Sequence, residues 1–194
     1  ISQYHDLVAG EGAQGFRDGP FYSALFRNPQ GIAVDPAGRK LFVADRDNNR
    51  IRVVDLDKGN AVETLAGNGT SGFVDGPLNQ SRFFHPTALA WIPGKGLVVY
   101  ESGNKAFRLL DLNSRMVSTI ADEGKKGFPD DKGWQVGFGN VWNIAYSGTD
   151  HSLYFTQPDD GLLRKLDLTR GEITTLLRRD PQLSSPLSRG RPRN

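Results

Sequence analysis

The most constraining feature of this chain is a repeat that occurs three times at an interval of about 56 residues. Residues 26–67, 84–122 and 138–177 align with one another, and a glycine-rich segment precedes each of them. Two residues recur at equivalent positions of all three repeats. The first is an arginine, and the second, three positions later, is an aspartate followed by leucine. They are Arg52, Arg108 and Arg164, and Asp55, Asp111 and Asp167. A repeat of this length predicts a structure built by stacking copies of one small unit.

Each repeat has the pattern of four short antiparallel strands. In the first copy, segments 31–35, 41–45, 51–56 and 61–66 are apolar or alternate in polarity, and an Asp-Pro-Ala-Gly turn separates the first two. The 23 Gly and 11 Phe among 194 residues favour short strands joined by tight turns over a helical bundle. Four antiparallel strands at this period are typical of a β-propeller blade. We therefore predict an all-β propeller segment of four-stranded antiparallel blades.

The count of predicted strands gives about three blades plus one extra outer strand. Residues 5–10 parallel residues 64–67 of the first repeat, so they are predicted to form an outer strand without inner strands before it. Propellers typically have four to eight blades, and an arc of three leaves apolar blade faces and sheet edges uncovered. We expect a partial propeller that missing blades or a partner chain complete. A second copy closing a six-bladed ring and a stand-alone arc are the alternatives.

Three segments of the first repeat carry a family resemblance. Residues 28–35 (NPQGIAVD), 41–45 (LFVAD) and 48–52 (NNRIR) resemble the NHL-repeat family of β-propellers. The glycine-rich segment is similar to the linker between blades in extracytoplasmic members of that family. The later copies depart from the pattern, with Glu101 and Gln157 at the position of the aspartate that ends LFVAD. The resemblance implies a propeller scaffold whose loop-bearing face binds partners.

Charge and composition divide the chain into two parts. Residues 1–177 are the predicted propeller segment, and they carry 19 basic and 21 acidic side chains. Residues 178–194 are rich in Pro, Ser and Arg, with five Arg against one Asp, and are predicted to be a disordered basic tail. The chain has no Cys, which excludes disulfides, thiolate metal sites and a Cys nucleophile. No apolar run approaches the ~18 residues of a membrane-spanning helix.

The residues suited to catalysis or metal binding do not recur at one repeat position. His5, His85 and His151 occupy different positions in their repeats, so they do not converge on one axis. We predict no catalytic residue, no metal site and no cofactor. A metal-dependent lyase or hydrolase completed by missing blades is an alternative. An aspartate recurring in the glycine-rich segments is assigned to turn structure rather than to calcium, which needs about six oxygen ligands. It is Asp18, Asp75 and Asp130.

The recurring arginine and aspartate of the third strand are predicted to build the blade. Residues three apart in a strand point to opposite faces, so these two do not pair with each other. The arginine is expected to reach a carboxylate of a neighbouring strand or loop, such as Asp45 or Glu101. Surface recognition by these residues is the alternative.

The turns between the second and third strands differ among the repeats, and loops on a rigid scaffold carry function. Two tryptophans in and after the third glycine-rich segment have no counterpart in the other repeats, and an unshared aromatic is typical of a binding hot spot. Filling the gap between blades is the alternative for Trp134. The predicted binding residues are Arg46, Asp47, Arg50, Glu101, Lys105, Trp134, Trp142, Asp159 and Asp160.

These observations predict a non-enzymatic interaction scaffold. Its partner is expected to be a protein, which includes a second copy, with carbohydrate as a further option. The excess of acidic over basic residues in the propeller segment disfavours nucleic acid, so an RNA-binding NHL domain is a lesser alternative. The sequons Asn68-Gly69-Thr70 and Asn79-Gln80-Ser81 favour an extracytoplasmic location, although the sequence names no compartment.

Overall fold

The structure is a computed structural model that describes residue 10, residues 12–122 and residues 137–178. Most of the predicted extra strand, at residues 5–9, lies outside the described residues. Residues 179–194 of the predicted tail also lie outside them, and so does Trp134.

Three antiparallel sheets make up the described fold. Blade 1 contains β1 (Pro29–Val34), β2 (Lys40–Asp45), β3 (Arg50–Asp55) and β4 (Ala61–Ala66). Blade 2 contains β5 (Gly76–Pro77), β6 (Pro86–Ile92), β7 (Gly96–Glu101), β8 (Ala106–Asp111) and β9 (Met116–Asp122), in the order β5-β9-β8-β7-β6. Blade 3 contains β10 (Asn143–Ser147), β11 (Ser152–Gln157), β12 (Leu162–Asp167) and β13 (Glu172–Arg178). Single turns of 3-10 helix, Arg46–Asn48 and Leu56–Lys58, follow β2 and β3. The all-β, four-stranded blade prediction is confirmed, with β5 added to blade 2 from the glycine-rich segment.

The recurring aspartate at the end of the third strand braces the turn to the outer strand. The Asp111 carboxylate accepts the backbone N–H of Asn113 at 2.9 Å and of Ser114 at 3.0 Å. Asp167 accepts the equivalent bonds, at 2.8 Å and 3.0 Å. These backbone bonds stabilise the ionised form, so they lower the pKa of both carboxyls below the ordinary value. The repeat of Asp-Leu in the sequence therefore marks a repeated turn.

The blades fan around their innermost strands, because β6 packs against both β1 and β10. Each blade buries one face against the next, and the chemistry of the two junctions differs. The junction of blades 1 and 2 is mainly aliphatic and includes Ile51, Leu89, Leu97, Val99 and Leu110. The junction of blades 2 and 3 is rich in aromatic residues and includes Tyr100, Phe107, Phe138 and Phe155.

Gly31 permits the closest approach between blades 1 and 2. A Cβ atom at this position would lie 2.5 Å from the Thr87 carbonyl oxygen and 2.8 Å from the Ala88 Cα. Both atoms belong to the backbone of β6, so no side-chain rotation relieves the overlap. The glycine in the sequence NPQGIAVD is therefore required by packing at the inner edge of the blades.

Replacing Gly31 with alanine is expected to lower the free energy of unfolding by about 1–3 kcal/mol, because the inner strands must separate to admit the methyl group. Urea denaturation measures this change. Gly148→Ala is the matched control, since its Cβ would meet only the Tyr146 ring, at 3.8 Å. The control is expected to be neutral or slightly stabilising, by up to about 1 kcal/mol. Equal effects of the two substitutions would contradict this account of the junction.

The two outward faces of the arc differ in polarity. On blade 1, a shallow apolar depression is formed by residues including Phe26, Leu41, Val43 and Val54, and Ile32 beside them is 62% exposed. This face has the composition of a blade junction but has no blade against it in the described structure.

The outward face of blade 3 carries a polar pair where the other blades carry apolar ones. Phe42 and Val53 are cross-strand partners in blade 1, and Val98 and Leu109 are partners in blade 2. The equivalent partners in blade 3 are Tyr154 and Lys165. Both contact Asp150, which accepts from the Tyr154 hydroxyl at 2.8 Å and lies 2.9 Å from the Lys165 Nζ. The centre of the outward face of blade 3 is therefore more polar than that of blade 1, whereas Leu177, the cross-strand partner of Leu163, is 64% exposed at its edge.

Candidate functional site

Arg52 is the centre of a buried polar cluster in blade 1. Its guanidinium is fully buried and lies 2.7 Å from Asp45, which is buried as well. Its Nε and Nη2 donate to the Asp18 carboxylate at 3.0 Å and 2.5 Å. Asn48 donates to Asp45 at 2.9 Å. We call Arg52, Asp45, Asp18 and Asn48 the arginine cluster of blade 1. The cluster ties the glycine-rich segment to the blade that follows it.

Blade 2 repeats this arrangement with Arg108, Glu101, Asp75 and Asn104. Arg108 Nη1 donates to Glu101, and its Nε and Nη2 donate to Asp75 at 3.1 Å and 2.6 Å. Asn104 donates to Glu101 at 2.5 Å. Burial raises the pKa of the Glu101 carboxyl, and the adjacent Arg108 charge opposes that increase. The cluster therefore retains a buried charge pair in the blade interior.

Blade 3 exchanges the acid and the amide of the cluster. Gln157 occupies the position of Glu101, and Asp160 occupies the position of Asn104. Arg164 Nη1 donates to the Gln157 side-chain oxygen at 3.2 Å, and Gln157 Nε2 donates to Asp160 at 3.2 Å. The carboxylate has thus moved one partner further from the arginine. Asp130 precedes Arg164 by 34 residues, as Asp18 precedes Arg52, but it lies outside the described residues.

The contact between the glycine-rich segment and the arginine was missed by the sequence analysis. Asp18 and Asp75 were assigned to turn structure through loop N–H bonds. In the structure they bind arginine side chains, and Asp75 also accepts the Thr119 N–H at 2.9 Å. The available sequence signal is the interval of 33 or 34 residues between aspartate and arginine, which recurs with the repeat.

Three of the predicted binding residues contact other parts of the chain, and of these Glu101 is buried while Arg50 and Lys105 are partly exposed. Glu101 is the last residue of β7 and is fully buried against Arg108. Arg50 lies over the Phe16 ring, 3.8 Å from its centroid, and donates to the Asn68 carbonyl oxygen. Lys105 donates from Nζ to the Phe138 carbonyl oxygen at 3.3 Å.

The remaining described binding residues lie toward one end of the blades. Arg46 and Trp142 line a shared cleft, and Asp47 contacts Arg46. Asp159 accepts from the Asn140 amide at 2.8 Å and so supports one wall of that cleft. Asp160 belongs to the arginine cluster of blade 3.

The cleft runs along the inner edges of all three blades and has a volume of about 520 Å³. Its walls come from residues at or next to the start of β1, β6 and β10 and from the turns after β2 and β7. We call it the axial cleft. Its lining is Gln30, Gly31, Arg46, Thr87, Ser102, Asn140, Val141, Trp142 and Asn143. Trp142 is 63% exposed, and its backbone N–H donates to the Thr156 carbonyl oxygen at 3.1 Å.

The charge at the edge of the axial cleft is balanced. Arg46 Nη1 lies 2.5 Å from the Asp47 carboxylate, and Arg46 Nη2 lies 3.4 Å from the Nδ1 of His85. Burial, together with the Arg46 charge, lowers the pKa of His85, so the imidazole is neutral at physiological pH. The edge of the cleft therefore carries little net charge.

The described residues contain no group of three His, Asp or Glu arranged to hold a metal ion. His85 lies before β6, whereas His151 lies before β11 at the other end of the blades and contacts the Tyr146 hydroxyl at 2.7 Å. Among the same residues, no helix is both long and apolar enough to cross a membrane.

Comparison with known proteins gives matches over most of the repeat region. The family model described as NHL repeat matches residues 26–54. NHL repeat-containing protein 2 of Gallus gallus is 30% identical over 137 residues, which are 69% of this chain and 18% of that protein. Protein SUPPRESSOR OF QUENCHING 1, chloroplastic, of Arabidopsis thaliana is 43% identical over 65 residues, which are 34% of this chain and 6% of that protein. The chain thus spans less than a fifth of the length of either relative.

Solved structures at lower identity show the same fold. An auxiliary nutrient binding protein of Bacteroides thetaiotaomicron superposes with a TM-score of 0.61 at 16% identity, over 89% of this chain and 37% of that one. A virginiamycin B lyase of Staphylococcus aureus superposes with a TM-score of 0.51 at 17% identity, over 79% and 42% of the two chains.

The fanned four-stranded blades define this chain as a β-propeller protein. Its repeat sequence defines the particular kind, because the arginine-bearing unit matches the NHL repeat. The chain belongs to the NHL-repeat family.

Proposed function

We propose that this chain is a non-enzymatic interaction module that binds a partner in the axial cleft. The observation that carries the proposal is the convergence of all three blades on one cleft that combines amide and hydroxyl side chains with an exposed tryptophan, Trp142. Cavities of about 300–1,000 Å³ with a few convergent polar groups are the usual size and chemistry of binding sites.

The placement of the charged residues supports recognition rather than catalysis. The most strongly buried ionic groups, such as Arg52 and Arg108, hold the glycine-rich segments to their blades. These groups recur in every repeat, whereas the cleft residues differ from blade to blade. Variation at the ends of a rigid repeated frame is typical of binding surfaces.

Selection from a peptide library and a panel of oligosaccharides on the purified chain tests this function. Binders are expected to lose affinity for the Trp142→Ala variant and to keep it for Tyr22→Ala. Tyr22 is the matched control because it is 64% exposed and does not line the axial cleft. Metal analysis of the purified chain tests the enzyme alternative. Zinc or calcium bound stoichiometrically through cleft residues would overturn the proposal in favour of a metal-dependent lyase or hydrolase.

We further propose that the apolar outward face of blade 1 is covered by another blade, from a partner chain or from further repeats. Two copies closing into a six-bladed ring would place this face against the outward face of blade 3, where Tyr154, Lys165 and Asp150 form a polar group, so a non-identical cover is favoured. Light scattering tests the point. We expect the 21.3 kDa chain not to form a closed dimer, whose mass would be twice as large, about 43 kDa.

A further inference from the structure

We propose that the ligand of the axial cleft is a neutral oligosaccharide, an inference that rests on the function proposed above. The platform for the sugar is Trp142, whose indole is 63% exposed at the cleft. The face of an aromatic ring carries negative charge density. It therefore attracts the weakly positive C–H bonds on the flat face of a sugar ring, while the hydroxyl groups point outward around the rim.

The groups around Trp142 match those hydroxyls. Asn143 follows Trp142 directly, and Gln30 extends into the cleft from blade 1. Neither side chain makes a hydrogen bond to another residue in the part of the chain that the structure describes, and both are exposed. An amide offers two donors and one acceptor oxygen, so one side chain can bind two adjacent hydroxyls. The Thr87 and Ser102 hydroxyls of blade 2 donate to the Tyr100 and His85 carbonyl oxygens, at 3.5 Å and 3.1 Å, so they offer acceptor oxygens to the sugar.

Charge distinguishes a neutral sugar from an acidic one. Arg46 is the one cationic residue among the described residues of the lining, and its guanidinium is already paired with Asp47 at 2.5 Å. An acidic saccharide would have to displace Asp47 from Arg46. The displaced Asp47 carboxylate would then repel the saccharide. A nucleic acid would meet the same barrier, because its binding requires unpaired cations.

Apolar content distinguishes a sugar from a peptide. Val141 is buried, so Trp142 is the exposed large apolar side chain among the described residues that line the cleft. Peptide recognition in a groove uses several apolar pockets for alternate side chains. One aromatic platform surrounded by amides and hydroxyls suits a chain of uncharged rings better.

Isothermal titration calorimetry with defined probes tests this inference. The probes are cellotetraose, maltotetraose, xylotetraose and mannotriose, with trigalacturonate and a heparin tetrasaccharide as acidic counterparts. The same neutral sugars coupled to serum albumin, compared with bare albumin, distinguish a free saccharide from one carried on a protein. We expect at least one neutral sugar to bind, with affinity unchanged by added salt because no ion pair forms.

Three variants test which side chains bind the sugar. Trp142→Ala is expected to lower the affinity for the sugar about tenfold or more, since the stacking surface is lost. Asn143→Ala is expected to weaken it about fivefold, which corresponds to one lost hydrogen bond, and it provides a second variant that leaves the tryptophan in place. Tyr22→Ala is expected to have no effect.

Two outcomes would overturn the inference. One is that none of the neutral sugars binds at about 10 mM. The other is that an acidic saccharide binds more tightly than every neutral one and is released by salt. If the peptide library still yields binders that depend on Trp142, the proposed function stands and the assignment of a neutral sugar alone fails.

Discussion

Replacing Arg108 with leucine is expected to lower the free energy of unfolding by about 3–5 kcal/mol. The substitution leaves the Glu101 carboxylate fully buried without its cation. It also releases Asp75, which is partly exposed and can regain water. Since domains of this size are stable by about 5–15 kcal/mol, the variant loses a large fraction of its stability. Urea denaturation followed by circular dichroism measures the effect.

Arg39→Leu is the matched control, because Arg39 and its partner Asp57 are both more than half exposed. Removing such a surface pair is expected to cost less than about 1 kcal/mol. The double variant Arg108→Leu with Glu101→Leu is expected to be more stable than Arg108→Leu alone, because no buried charge remains unpaired. Equal losses for Arg108→Leu and Arg39→Leu would show that the cluster does not hold the blade.

The loss caused by Arg108→Leu is also expected to depend on pH. The Glu101 pKa is already raised by burial, and removing the arginine raises it further. Above the ordinary glutamate pKa, the Glu101 carboxyl of the folded variant keeps a proton that the unfolded chain has lost. The free energy of unfolding therefore falls as pH rises from the ordinary glutamate pKa to the raised pKa of Glu101. The deficit relative to the wild type is therefore expected to be smaller at about pH 5 than at about pH 7. A deficit that grows on acidification would contradict the burial of Glu101.

Replacing Phe107 with alanine is expected to lower the free energy of unfolding by about 3–5 kcal/mol. Phe107 is fully buried at the junction of blades 2 and 3. Its ring centroid lies 5.0 Å from that of Tyr100, 5.1 Å from that of Phe155 and 5.3 Å from that of Phe138. Alanine leaves a cavity between two rigid sheets, which cannot collapse to fill it.

Urea denaturation measures the Phe107 effect as well, and Phe107→Leu provides the size-matched comparison. Leucine keeps most of the apolar volume, so its loss is expected to be clearly smaller than that of alanine. Tyr22→Ala, an exposed aromatic truncation, is expected to change stability by less than about 0.5 kcal/mol. A loss below about 1 kcal/mol for Phe107→Ala would show that this aromatic contact does not join the two blades.

Most of the fold could be predicted from the sequence because each blade is a local structure. Turn residues such as Asp35 and Gly38 and alternating apolar residues act within a few positions, and the repeat supplies three versions of the same signal. The strands of blade 1 were predicted to within about two residues at each end. The chemistry of the junctions could not be predicted, because Phe107 and Phe155 meet only after the two sheets have stacked.

The candidate site was predicted less completely, since strand ends and turn tips look alike in a sequence. Glu101 was expected on the loop face, but it is the last residue of β7 and is buried. Arg46 and Trp142 were identified because their positions differ among the repeats. Gln30 was interpreted only as part of the NPQGIAVD segment, and Asn143 belongs to no motif, so neither was assigned to a site. Only the fan of the innermost strands brings them to one cleft.

The arginine clusters lie beside the third strand and the segment that enters the blade, and Asp45 and Glu101 also accept the backbone N–H groups of Arg27 and Phe84 at 2.8 Å and 2.7 Å. These bonds hold the chain just ahead of the innermost strands of blades 1 and 2, so exposed side chains at the strand entrances do not have to hold the frame together. Those entrances accordingly differ, with Gln30-Gly31 in blade 1, Thr87-Ala88 in blade 2 and Trp142-Asn143 in blade 3. Gly31 and the buried Ala88 are constrained by the packing of the inner strands. Substitutions at the exposed entrance positions, such as Gln30, Trp142 and Asn143, can change what the molecule recognises while the blades are kept, so new specificities can evolve there at little risk to folding.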